Sequence, residues 1–505
     1  MQKFIHNLSL NNISIFLLLI FPALLVTGPL LAEISMNLIN IFFLYKIFKE
    51  KNFKLFKEKF FIVFILFYLF LFLTIFFSNY LDKIFFKHIF YLRHVVFILA
   101  IVDLLLKNKN LNFLFYRVLM ITVLIVCIDG IIQFLSHYNS LGYPKIRPDR
   151  LSGFFDDKMV LGSYIARLLP LLLSLFIYNF KSQNNKNLFL GVFTIILSFI
   201  TIILSGERMA FLTSFTFILI VFVLLEFSKK IKILFIFLAI SITSIIIVLS
   251  PTLLNRHYQQ TIDQVNFRFD QSNFFSNFKF YKETYETAYN GYVDKKLIGQ
   301  GARSFRFFCS EKKLEVKKIY NLVNYLNKTI PEKKIYIEKF YYKENDLVKK
   351  GEIIFSYSTN GKKKFFTFNQ DIKIQSPQIS NNVLFYENKF AETKNLILYY
   401  SFFVNGCTTH PHNFYLQLLS ETGLIGFLFL FSLFCYLSYL LCKHFIFLIF
   451  KKKIIFTNSQ ICLLVGFVMT LLPIIPNGNF FNNWLSMIMF LPAGFYIYMS
   501  KENKK

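Results

Sequence analysis

Apolar runs of roughly 18–22 residues, about the length that crosses a bilayer, recur along most of this chain and are separated by short lysine-rich connections. They predict about twelve spanning helices, at 12–28, 30–47, 59–77, 84–106, 113–136, 158–180, 187–205, 207–227, 231–250, 414–442, 454–475 and 482–500. A different pattern fills the stretch between the ninth and tenth runs. Residues 251–308 carry Tyr, Gln, Phe and several arginines in a helical pattern and end in Ile298-Gly-Gln-Gly301. From 310 to 400, apolar and polar positions alternate between turn signals, the mark of short strands. The expected fold is an all-α integral membrane protein with a large polar loop bearing a small β-rich insertion. Its parts are an N-terminal bundle of about nine helices (1–250), a polar region (251–413, insertion at about 310–400) and about three C-terminal helices (414–505).

Composition agrees with a membrane setting. Hydrophobic residues make up 55% of the 505, and the mean hydropathy is +0.51, more apolar surface than a soluble fold of this size can cover. Net charge is +28, which in a soluble chain would point to nucleic acid. Here the cations sit in short connections (45–59, 107–110, 181–187, 228–232, 443–453, 501–505), a positive-inside pattern, and no nucleic-acid partner is expected. An even number of spans puts both termini on the lysine-rich, cytoplasmic side. No cleavable signal peptide is evident after Met1-Gln-Lys3. The opposite face then carries 79–83, 137–157, the turn at Gly206, 251–410 and 476–484, which hold nearly every polar residue able to do chemistry.

Of six cysteines, Cys127, Cys435, Cys442 and Cys462 lie in or beside apolar runs and read as small core residues. Cys309 and Cys407 bracket the polar region, where a disulfide outside the cytoplasm is plausible. Within the insertion, Asn345-Asp-Leu-Val-Lys-Lys-Gly351 followed by Ile374-Gln-Ser-Pro377 resembles the hairpins of lipoyl/biotinyl-like barrel-sandwich domains, without a recognisable attachment lysine. No P-loop or dinucleotide-binding glycine motif is present, no metal-ligand spacing occurs, and no cofactor is expected.

The most informative stretch is Cys407-Thr-Thr-His410-Pro-His412-Asn413, which runs on to Glu421-Thr-Gly423-Leu-Ile-Gly426. Two histidines flank a proline where a polar loop meets a long apolar run. Imidazole exchanges protons near neutral pH, so the first idea is proton transfer at a water–lipid boundary. Arg208 lies just past the Ser205-Gly206-Glu207 turn on the same face, with Arg147, Arg150, Arg256, Arg268, Arg303 and Arg306 as further cations. Arginine forks suit phosphate, although an arginine at a helix end also snorkels to head groups. Glu421 lies nine residues after His412, on the opposite helix face, which argues for packing or capping rather than a dyad.

His412-Asn413 followed by Gly423-x-x-Gly426, together with Arg208-x-x-x-Leu212, resembles the motifs of the O-antigen ligase/polymerase superfamily of membrane glycosyltransferases. Arg150-x-x-Gly153-x-Phe155 resembles another stretch of that family. The resemblance covers roughly 10–308 and 400–500, not the insertion. It implies a GT-C-like protein of the bacterial inner membrane whose periplasmic face moves a glycan from an undecaprenyl-diphosphate-linked donor to a glycan or lipid A–core acceptor, without metal. His412 would be the base and Arg208 the diphosphate clamp. Arg306, His410, Asn413, Arg150 and Arg303 would contact substrate. Ligase and polymerase readings stay open, as do a polysaccharide or lipid-carrier transporter and a non-catalytic envelope assembly protein.

Overall fold

Where side chains are apolar and water is scarce, a chain satisfies its peptide groups within itself, and each apolar run folds as a helix. The computed structural model describes residues 10–180, 183, 185–226, 229–264, 281–311, 314–321, 334–342, 346–359, 362–367, 371–379, 383–386, 396–404, 407–450 and 455–503. Arg268 and Lys451 to Lys453 lie outside them. The main helices are α1 (Leu10–Val26), α2 (Pro29–Glu50), α3 (Lys59–Phe76), α4 (Leu81–Lys107, with a 3-10 turn at Phe90–Leu92), α5 (Leu111–Ser136) and α6 (Leu161–Tyr178). They continue with α7 (Asn185–Leu204), α8 (Arg208–Leu224), α9 (Lys229–Leu249), α10 (Phe414–Ile449), α11 (Asn458–Thr470) and α12 (Asn483–Glu502).

Among the described residues, seven helices are long and apolar enough to cross a membrane: α2 to α7 and α10. The number becomes eight if Ala239–Val248 and Pro251–Ile262, bent by 108°, form one broken span. The chain is thus mostly helical and membrane-embedded. Helices α1, α8 and α11 are apolar but shorter. The run expected at 454–475 yields only Asn458–Thr470. Thr457 caps its start in a reciprocal box with Gln460, and the chain turns at Leu471 ahead of Pro473, where helical geometry is disfavoured.

Two compact units divide the chain. The first combines residues 1–281, 291–306 and 409–505, and the second combines 282–290 and 307–408. Among its described residues the second holds eight strands: β1 (Leu314–Asn321), β2 (Lys334–Phe340), β3 (Leu347–Val348), β4 (Ile353–Thr359), β5 (Lys362–Thr367), β6 (Ile372–Ile379), β7 (Val383–Tyr386) and β8 (Leu396–Val404). They form two antiparallel four-stranded sheets, ordered β1-β8-β6-β3 and β5-β4-β2-β7. Leu314 pairs with Val404, so the first and last strands of the unit lie side by side. A disulfide joins Cys309 to Cys407 just outside that pair, with Cα atoms 4.9 Å apart.

In the first unit, α12 packs along α4 and α11 along α6. Helix α10 is interrupted at Gly423, which takes φ 66° and ψ −163°. In a continuous helix the Leu424 N–H would donate to the Ser420 carbonyl. Here it donates to Lys296 O at 2.8 Å, and the Ser420 and Glu421 carbonyls accept from Gln300 N (3.0 Å) and Gly301 N (2.7 Å). Residues 296–301 therefore take over three of the peptide groups that the break releases. The approach is close enough to need glycine on both sides. A Cβ on Gly423 would lie 2.3 Å from the Leu297 carbonyl, and one on Gly299 would lie 2.4 Å from Glu421 C. Gly423→Ala should then lower the thermal unfolding midpoint far more than Gly28→Ala, whose φ is also positive (108°) but which has open space around it. Fluorescence-monitored melting of the purified variants checks this; equal shifts would mean that positive φ alone, about 1–2 kcal/mol, accounts for the loss.

Candidate functional site

The helix start at Phe414 is built by Asn413. Its side-chain oxygen accepts the Tyr415 and Leu416 N–H groups at 2.9 and 3.0 Å, an N-cap, and its amide nitrogen donates to Pro473 O at 2.7 Å. Asn413 is 6% exposed, and these bonds engage it as a fastener between two loops. His412, immediately before it, has φ 55°, a conformation that costs a non-glycine residue on the order of 1 kcal/mol and persists only where its surroundings enforce it. Two contacts enforce it: the Asn413 cap and the Asn477 N–H, which donates to the His412 carbonyl at 2.7 Å.

The turn so fixed brings the His410 and His412 rings to 4.2 Å between centroids, and the Tyr281 ring to 5.3 Å from His412. Thr409 Oγ1 lies 2.8 Å from His410 Nδ1. Tyr281 in turn lies within the field of Arg208. Burial raises the Tyr281 phenol, and the positive charges of Arg208, Arg150 and Arg256 pull it back. Tyr281 thus links the histidines to the arginines.

Arg208 is the first residue of α8, half-buried, and its guanidinium donates to Thr261 Oγ1 at 3.4 Å. The turn before it is locked from three sides. Glu207 accepts the Gly162 N–H (2.7 Å) and the Ser163 hydroxyl (2.5 Å), the Ser205 carbonyl accepts the Leu151 N–H (3.1 Å), and the Gly206 carbonyl accepts from Arg256 Nε (3.1 Å). Gly206 has φ 68°, and a Cβ there would lie 2.0 Å from Asp149 O. Arg150 donates to Met159 O at 2.7 Å and stands 4.0 Å from Glu207. Arg147 and Arg256 share Asp149, at 3.1 and 3.5 Å. Four arginines therefore converge with two carboxylates, Asp149 and Glu207, and the cluster keeps an excess of positive charge.

The other cations are placed differently. Arg306 is exposed on the short Phe305–Phe308 helix, and its charge reaches His410. Arg303, with φ 69°, points inward. Its guanidinium lies over the Tyr91 and Phe481 rings at 5.7 and 5.6 Å, a cation–π arrangement, and its Nε is buried without an acceptor. Glu421, 1% exposed, accepts the Arg303 and Phe305 N–H groups at 2.9 Å each and a bond from Gln417. It works on backbone, not on His412. Arg93 within α4 is ion-paired with Glu33.

Sequence reasoning missed Tyr281 as the link and Gln417 as a buried tie. Gln417 donates to Asn479 (2.9 Å) and accepts the Phe480 N–H (2.9 Å), joining α10 to the 476–482 turn. A glutamine four residues before a glutamate on an apolar helix was the available signal. No protein-family model matches the chain, and no curated protein matches it in sequence.

Burial disfavours the charged form of both histidines. Burial, then the neighbouring His412 and Arg306, push His410 down to about 4, and burial lowers His412. A lowered folded-state value means that the unfolded chain binds more protons between that value and about 6.5. Stability from these groups is therefore full above about pH 6.5 and falls as pH drops towards 4. Melting at pH 7.5 and pH 5 should show a drop that is smaller in His410→Asn than in wild type. An equal drop in both would assign the pH sensitivity to other groups.

Proposed function

We propose that this chain is a membrane glycosyltransferase of the O-antigen ligase/polymerase type, with about twelve spans, both termini cytoplasmic and its site on the periplasmic face of a bacterial inner membrane. The observation that carries the reading is one juxtaposition. A strained imidazole, His412, whose charged form burial disfavours, packs against Tyr281, and Tyr281 lies in the electrostatic field of Arg208, Arg150 and Arg256. Glycan transfer from a polyprenyl diphosphate needs a proton acceptor beside an anion clamp, and this site offers both.

In the proposed reaction, the acceptor hydroxyl gives its proton to His412 as its oxygen bonds to the anomeric carbon. The anomeric carbon–oxygen bond to the diphosphate breaks, and the electron pair leaves on the diphosphate oxygen. Arg208 and Arg150 oppose the charge gathering there, with Arg306 as an exposed contact at the rim. His410 shapes the turn, and burial favours the uncharged His412 that can accept. Asn413 acts through that turn, and Arg303 acts from the aromatic box behind it. The driving force is the donor's own diphosphate linkage.

The envelope glycolipid profile of cells carrying variants at matched expression tests the reading. His412→Ala should cut transfer by about 10²–10⁴-fold, the usual worth of a positioned base. Arg208→Lys should not restore what Arg208→Ala loses, because an ammonium lacks the fork. Accumulated long polyprenyl-linked polymer would identify a ligase and accumulated single repeats a polymerase. An unchanged profile in both the His412 and Arg208 variants would sink the assignment.

A further inference from the structure

Arg167 lies six residues into α6, about 9 Å along the helix from its first residue, in the wall between two cavities. One, of about 150 Å³, is lined by Ser163, Thr213, Thr470 and Asn477 among others. It sits under the histidine turn, since Asn477 is the residue whose N–H holds the His412 carbonyl. The other, of about 380 Å³, is walled by apolar side chains of α3, α10, α11 and α12, including Phe64, Leu433, Phe467 and Ala493. Pro170, Gly466 and Thr470 line both, so the cavities share a wall with Arg167 in it.

Among the described residues, Arg167 is the one cation in either lining, and neither lining contains a carboxylate. Its Nε is buried with no acceptor, and among the described residues no ion pair reaches it. Glu207, whose field does reach it, is committed to Gly162 and Ser163. A guanidinium inside a membrane without a counter-ion is costly and marks a functional site by default. The Ser163, Thr213 and Thr470 hydroxyls beside it already donate to Glu207, Met209 O and Gly466 O, so the guanidinium itself, with the second amide proton of Asn477, is what an anion would meet. The apolar cavity beyond it suits hydrocarbon, and its lining runs from Ile488 to Ile497 on α12 and from Phe429 to Leu437 on α10. At 1.5 Å per residue that is about 12–14 Å, close to one leaflet of a roughly 30 Å hydrocarbon core.

We propose that Arg167 binds the phosphate of an anionic phospholipid, with the head group in the polar cavity and one acyl chain in the apolar one. None of the arginines near Tyr281 lines either cavity; the polar one adjoins the histidine turn through Asn477 and Glu207 through Ser163, but the proposal rests on Arg167 and does not depend on the glycan-transfer reading.

Native mass spectrometry of the delipidated full chain, titrated with phosphatidylglycerol, phosphatidylcholine, polyprenyl phosphate or inorganic phosphate, tests it. Wild type should retain one phosphatidylglycerol at least tenfold more tightly than phosphatidylcholine and show no response to inorganic phosphate. Arg167→Gln should fall to the phosphatidylcholine level. Ala493→Phe, which keeps the cation and fills the apolar cavity, should also lose retention, and it decides the matter if Arg167→Gln fails to fold. Wild-type retention in either folded variant overturns the proposal. So does binding of inorganic phosphate alone, and binding of polyprenyl phosphate without phosphatidylglycerol replaces the occupant.

Discussion

The break in α10 is the constraint on which the rest of the first unit depends. A helix inside a membrane can lose a turn only if other protein takes over its peptide groups. Residues 296–301 do this by exchanging backbone bonds with Ser420, Glu421 and Leu424. The exchange permits no side chain at Gly299 or Gly423, so two segments more than a hundred residues apart meet in one register. Two side chains carry that seam outward. Glu421 reaches forward to the amides of Arg303 and Phe305, and Gln417 reaches sideways to the 479–480 turn.

Of the candidate site, Arg303 lies at the end of one of these ties. Two of its residues, His412 and Arg303, hold backbone conformations that side chains resist, and both are flanked by hydrogen bonds that leave no easier alternative. Strain of this kind survives where the surroundings over-determine it. The arginine cluster follows the same logic by other means: the 205–207 turn is fixed by Glu207, by the Leu151 N–H and by Arg256 before any ligand arrives. A site assembled in advance in this way spends little binding energy on organising itself.

Much of the fold was legible because hydrophobic run length is a strong signal, and the helix positions follow the runs closely. The ends were less legible, since they depend on single residues such as Thr457 and Pro473 that a run-length reading passes over. For the site, His412, His410, Arg208 and Arg150 could be picked out as chemically able groups on one face. Tyr281 could not, because it sits in an aromatic-rich polar stretch with no period to single it out, and its meaning comes only from the ring across the fold. Asn413 looked like a substrate contact and is placed as a helix cap, since a sequence cannot tell an amide facing a ligand from one facing its own backbone. Arg167 was invisible for the opposite reason: one cation in an apolar run is tolerated by any hydropathy reading.

The disulfide neck of the second unit has a bearing on how such a chain can change. The polypeptide departs at Cys309 and returns at Cys407 with Cα atoms 4.9 Å apart, hardly farther than consecutive residues. A segment whose ends meet so closely is topologically a pendant. It can be lengthened, exchanged or reduced to a tight turn without stretching the chain on either side of the neck, because what rejoins is already adjacent. The histidine turn begins one residue after Thr409, just beyond that point of return. The chain is therefore free to acquire a new module at this point by a single insertion event while the segments before Cys309 and after Cys407 keep the same spacing.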